Sequence, residues 1–214
     1  MKPDEIPSNW VDIVTGIVLL AGILRGRKRG MSEELLDTLQ WAAIVLAGGF
    51  FYQTVAQAIA STSVIGRAWF NAAGYFLIAL AISLVASWVK RTVGGKLVGS
   101  DVFGRFEYYL GMMAGMLRFA CVYFFLLNFL HAPYYSTRDI AEEKKYWAQN
   151  VGDIAVPTPA TTQQVVFKES ATGWAAEQYL ARVLIQPVRP TNSPPGESEV
   201  QRHQRKIREA MGGK

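Results

Sequence analysis

Over its first 131 residues the chain alternates long apolar runs with short polar connections; beyond that it turns polar. From Ala68 to Val89, "AWFNAAGYFLIALAISLVASWV", no charged residue occurs. A helix over this stretch rises about 33 Å, enough to cross a hydrocarbon core of about 30 Å. Trp69 and Trp88 stand near its ends, where indoles favour the membrane interface. A second run covers about 39–60, inside a stretch free of charge between Asp37 and Arg67. A fourth covers about 110–130 and is interrupted only by Arg118. The first, about 10–24, is the shortest. Its uncharged part from Ile13 covers only about 18 Å, so Asp12 sits near one interface or the helix tilts into a thin region. The pattern predicts an all-α membrane protein, with four transmembrane helices in residues 1–131.

The remaining residues, 132–214, read as a short, partly helical tail outside the membrane. "TRDIAEEKKYWAQ", 137–149, suits a polar helix. In "SATGWAAEQYLARVLIQP", Ala176, Tyr179, Leu180, Val183 and Leu184 make an apolar stripe at helical spacing. It predicts an amphipathic helix near 170–186, stopped by Gln186-Pro187. Residues 187–199 read as a Pro-rich linker and 198–211 as a basic, solvated helix. Such a tail has little material for a large independent core.

Charge adds an orientation. The first connection carries Arg25, Arg27, Lys28 and Arg29; the second only Arg67; the third Lys90, Arg91, Lys96 and Arg105. This alternation places the first and third connections in the cytoplasm and both termini outside. The leader "MKPDEIPSNW" is acidic, and the apolar run after it ends in "RGRKRG" without a small-residue cleavage pattern. The first span is therefore expected to be retained rather than cleaved as a signal.

Composition narrows the function classes. Half of the residues are hydrophobic and 18% charged, against about a quarter charged in soluble domains. The net charge of +5 invites a nucleic-acid reading, but the 22 basic residues divide equally between the two parts. No long basic face with interleaved aromatics appears, so no nucleic acid is expected. The single cysteine, Cys121, lies in an apolar run and reads as a small buried hydrophobe. His131 and His203 have no partner at metal-ligand spacing, and "GGKLVGS" lacks the spacing of a phosphate loop. No cofactor, metal or catalytic set is expected, hence no enzyme.

Small residues recur at helical spacing. Gly22, Gly26 and Gly30 fall on one face if the helix continues, and Gly111 and Gly115 form a G-x-x-x-G pair. Ala79, Ser83 and Ser87 make a third stripe. Each favours close helix contact, within one chain or in a homo-oligomer. If the chain turns instead, Gly26 or Gly30 supplies the permissive backbone. Among intramembrane charges, Asp12 suits the start of the first helix, favoured by its dipole. Arg118 lies about 12 Å into the hydrocarbon and needs Asp37 as partner or an escape to the headgroups. Asn71, Gln53, Gln57 and Asn128 fall toward outer helix ends and read as interfacial hydrogen-bonders.

Two stretches carry a resemblance. "NWVDI" at 9–13 and "GILRGRKRGMSEELLDTLQWAAIVLA" at 22–47 are similar to the start of the colicin V production protein family. Asn9, Trp10, Asp12, Gly22, Arg25, Gly26, Arg29, Gly30 and Glu34 match in order. "LGMMAGMLR" at 110–118 resembles that family's entry to the fourth helix through Gly111, Gly115 and Arg118. The resemblance spans about 9–131. It implies a four-helix bacterial inner-membrane protein tied to colicin V production or export and to envelope stress tolerance. Some relatives carry a protease domain after the fourth helix; this tail is too short for one and lacks its nucleophile motif.

Two functions compete. The first is a non-enzymatic, self-assembling protein with the bilayer, and envelope or export proteins, as partners. The second is a pore or transport component using Arg118 and Asp37 in a hydrated path.

Overall fold

The computed structural model describes residues 8–60, 69–98, 104–135, 141, 145 and 158–187. These form α1 (Trp10–Ala60), α2 (Phe70–Val98), a 3-10 turn (Gly104–Phe106), α3 (Glu107–His131), α4 (Pro159–Lys168) and α5 (Ala171–Tyr179). No strand occurs among the described residues. α1 is broken at one residue, Gly30, whose φ of 76° and ψ of 172° leave the helical region. A side chain there would be strained, which is why glycine occupies the break.

By length and composition α1, α2 and α3 are each apolar enough to cross a membrane. Their outward faces are clad in large apolar side chains such as Ile17, Phe50, Leu84, Trp88 and Met113. Such a surface suits lipid, because the helical backbone satisfies itself and only side chains meet the solvent.

The helices outrun the expected spans. The connection expected at 25–34 is helical on both sides of Gly30, since Arg, Lys, Glu and Leu are strong helix formers. α2 continues to Val98, so Lys90, Arg91 and Lys96 stand on a helix rather than in a loop. α3 begins at Glu107, ahead of the apolar run. In the tail, the helix expected near 170–186 ends at Tyr179; a turn and then a stretch without regular structure replace its second half. Pro187 would clash with the carbonyl one turn back in a helix. Moreover Val183, Leu184 and Ile185 are consecutive and cannot share one helix face. The linker expected over 187–199 lies outside the described residues except for Pro187. The helix expected over 198–211 lies outside them entirely, and the one over 137–149 does so apart from residues 141 and 145.

One helix, α4, was not expected. Its start is nevertheless written in the sequence. Thr158 and Thr161 cap each other reciprocally, Thr161 N donating to Thr158 Oγ1 at 3.2 Å and Thr158 N to Thr161 Oγ1 at 2.9 Å. Pro159 follows at the first helical position.

The two arms of α1 fold back at Gly30, and α3 lies along both. Near the break, Ser32 N donates to Glu107 Oε1 at 3.1 Å. Further along, Thr38 Oγ1 donates to Ala114 O at 3.1 Å. At the far end Val11 of the first arm and Val45 of the second meet Phe124 and Leu127 of α3. α2 packs on the second arm through Ile44, Tyr52, Ala72, Tyr75 and Ala79, with Tyr75 reaching Phe125 and Phe129 of α3. Val166, Phe167, Ala176 and Leu184 of the tail join the cluster at the far end. The tail thus shares the core of the bundle.

Candidate functional site

The helices approach closely enough to bring charge together because glycines line the seam. Gly22 and Gly26 of α1 face Gly115 and Gly111 of α3. A Cβ on Gly22 would lie 2.7 Å from Gly115 O, and one on Gly111 2.5 Å from Gly26 O. Only backbone fits there, and the gain is van der Waals contact along the seam. Gly30, at the break, abuts the Glu107 side chain. The five glycines are therefore used within one chain. The third stripe divides: Ala79 is buried and Ser83 half-buried against α1, whereas Ser87 is exposed.

Beside this seam the structure gathers five charged side chains from three helices. Arg118 Nη1 lies 2.6 Å from Glu34 Oε1 and 2.9 Å from Asp37 Oδ2. Arg29 Nη1 stands 3.4 Å from Asp37 Oδ2 and 3.6 Å from Glu34 Oε2. Lys90 of α2 pairs with Asp37 Oδ1 and donates to Gln40 Oε1. Gln40 Nε2 in turn donates to Ser83 Oγ at 3.2 Å. Glu34 is fully buried, and Arg118 and Asp37 are mostly so. Three cations face two carboxylates, leaving one positive charge in excess.

Glu34 and Asp37 sit three residues apart on one helix, so both carboxylates face the same way. A lone arginine at the centre of a membrane helix costs roughly 2.5–3.5 kcal/mol on insertion scales; two carboxylates on one guanidinium offset such a cost. Within this cluster two buried atoms, Glu34 Oε2 and Arg118 Nε, make no hydrogen bond. Such atoms are where a water finds a place.

Depth along the helices singles out Asp37 as a partner for Arg118 but passes over Glu34, which lies closer. Glu34 fell inside the stretch read as a connection. The missed signal was the Glu34/Asp37 spacing itself, a second carboxylate on the same face as the first.

Asp12 occupies the opposite end. It lies in the first turn of α1 and accepts from Asn9 N at 3.0 Å through Oδ2. The same carboxylate accepts from Ala171 N at 3.1 Å, Thr172 N at 2.9 Å and Thr172 Oγ1 at 2.8 Å. It therefore serves two helix starts at once, α1 and α5, where dipoles favour negative charge. Asn71 and Asn128 bond to the tail backbone, while Gln53 and Gln57 are exposed. Arg25, Arg27, Lys28 and Arg91 are exposed; the side chains of Lys96 and Arg105 lie outside the described residues. No group of three His, Cys, Asp or Glu is placed to hold a metal ion among the described residues.

A model of the colicin V production protein family matches residues 11–150. The match covers the glycine seam, all five clustered charges and Asp12, and the chain belongs to that family. It is a multi-pass membrane protein by its apolar helices and family. No curated protein and no solved structure matches it.

Proposed function

We propose that this member of the colicin V production family is a non-enzymatic scaffold of the bacterial inner membrane. In this reading it crosses the bilayer four times, each arm of α1 counting once, with both termini outside. It supports toxin production or export and envelope integrity by holding a fixed helical frame for partner proteins. The observation that carries the reading is the charge clamp. Arg118, Glu34, Asp37, Lys90 and Arg29 pair with one another and tie α1, α2 and α3 together. Self-assembly belongs to the same reading, through the exposed apolar face of α2 around Leu84, Ser87 and Trp88 rather than through the glycines.

The test is complementation. A strain lacking the protein is supplied with wild type, Arg118→Leu or the exposed-site control Arg27→Gln, and toxin release is assayed at matched protein level. Arg118→Leu should abolish release and Arg27→Gln should preserve it. Full release from an unclamped Arg118→Leu protein would overturn the reading. Thiols placed at Lys28 and Thr161 test the orientation, with only the second expected to react from outside.

A second reading rests on Glu34 Oε2 and Arg118 Nε, buried without a hydrogen bond. Water at these atoms would make the cluster part of a hydrated path for ions or small solutes. Reconstituted protein would then show flux above empty liposomes, altered by Arg118→Leu.

A further inference from the structure

The far end of the bundle holds a second polar arrangement, in which side chains of the bundle meet main chain of the tail. After α5 the chain turns and continues as a strap, residues 183–187, that is outside any helix or strand from Ile185 on. Leu184 is 2% exposed and Ile185 is fully buried. A backbone outside helix and sheet cannot satisfy itself, so the N–H and C=O of buried Ile185 need outside partners, and exposed Gln186 beside it is held the same way. The bundle supplies four. Ile185 N donates to Asn128 Oδ1 at 2.8 Å, and Ile185 O lies 2.7 Å from His131 Nδ1. Gln186 N donates to Tyr52 Oη at 3.0 Å, and Asn71 Nδ2 donates to Gln186 O at 2.8 Å. These side chains come from α1, α2 and α3, and every bond goes to main chain.

The reading groups are themselves held in place. Asn128 Nδ2 donates to Phe124 O at 3.0 Å, which aims its oxygen at the strap. Tyr52 Oη also accepts from Gln53 Nε2 at 3.1 Å. Gly49 removes the wall on one side, since a Cβ there would lie 2.9 Å from Val183 Cα. The Gln186 side chain takes no part; it turns back to Ala181 O at 3.2 Å. Where the strap ends at Pro187, a cavity of about 330 Å³ begins, bordered by His131, Phe167, Glu177 and Pro187.

We propose that this end of the bundle is a binding site for an extended apolar peptide segment, which the chain's own residues 183–187 fill in this state. Main-chain bonds supply the recognition, as they do when a strand is added to a sheet edge. The side-chain requirement reduces to two consecutive apolar residues in the places of Leu184 and Ile185. A longer segment continues into the cavity beside Pro187. The partner is thus an extended stretch of another polypeptide that displaces the strap. The proposal depends neither on the number of crossings nor on a role in toxin release.

The test uses full-length protein in nanodiscs and a fluorescent peptide with the sequence of residues 180–188. In a Cys121→Ser, Leu184→Cys protein the new thiol is shielded while the strap is seated. Excess peptide should raise its labelling rate at least tenfold. The same peptide, N-methylated at the positions of Ile185 and Gln186, should have no effect. Ile185→Asp, which ejects the strap, should bind the peptide at least tenfold more tightly than wild type. Peptide binding to Ile185→Asp that N-methylation abolishes supports the proposal even if the wild-type strap resists displacement. Absence of binding to both proteins overturns it. So does equal action by the N-methylated peptide, because the site would then be reading apolar surface alone.

Discussion

The two ends of the bundle solve the same problem with different chemistry. At the turn end, near Gly30, polar groups inside an apolar bundle are satisfied by full charges, three cations on two carboxylates. At the tail end one carboxylate, Asp12, meets a helix start, and the strap is held by amides, a phenol and an imidazole meeting backbone. A charge that loses its partner inside the bundle retains a large desolvation cost. A neutral hydrogen bond that breaks costs about 1 kcal/mol and can be remade with another peptide. The turn end is therefore built to stay closed, and the tail end to exchange.

Substitutions at each end sharpen the contrast. Arg118→Leu leaves buried Glu34 with only the longer 3.6 Å contact to Arg29 and should destabilise the protein by about 3–5 kcal/mol, read as unfolding free energy in bicelles. The double variant Arg118→Leu/Glu34→Leu should recover part of that loss, since no uncompensated carboxylate remains at Glu34. Gly26→Ala forces the α1–α3 seam apart and should cost about 1–3 kcal/mol, with faster thiol labelling at Cys121 as a second measure. Tyr52→Phe removes one bond to Gln186 N and should cost only about 1 kcal/mol, while raising proteolysis within the strap. Arg27→Gln, at an exposed position, should change stability by less than about 0.5 kcal/mol. A loss at Tyr52→Phe equal to that at Arg118→Leu would erase the distinction between the ends.

Much of the frame was legible because lipid imposes long charge-free runs, and such runs are local. The apolar stretches around Ile44, Ile78 and Phe124 announce themselves without any tertiary knowledge. Helix ends were less legible. Arg25–Arg29 and Lys90–Lys96 look like loop chemistry, yet they are good helix formers and the helices carry them. The clamp was legible only in part. Arg118 demanded a partner, and the depth of Asp37 made it a candidate; Glu34 was hidden because its connection looked solvated. The strap was not legible. Its partners Tyr52, Asn71, Asn128 and His131 lie more than fifty residues away, and no local pattern encodes that pairing.

The separation of Glu34 and Arg118 by 84 positions has a bearing on biogenesis. Chains are made in order, so the carboxylates of α1 emerge roughly 4–17 s before their arginine at ordinary translation rates. Until α2 follows with Lys90, the hairpin holds two carboxylates against one cation, Arg29. When the arginine-bearing helix leaves the ribosome, these carboxylates lower the barrier to burying its guanidinium. Glu34, made first, is thus in place to receive Arg118 when α3 arrives.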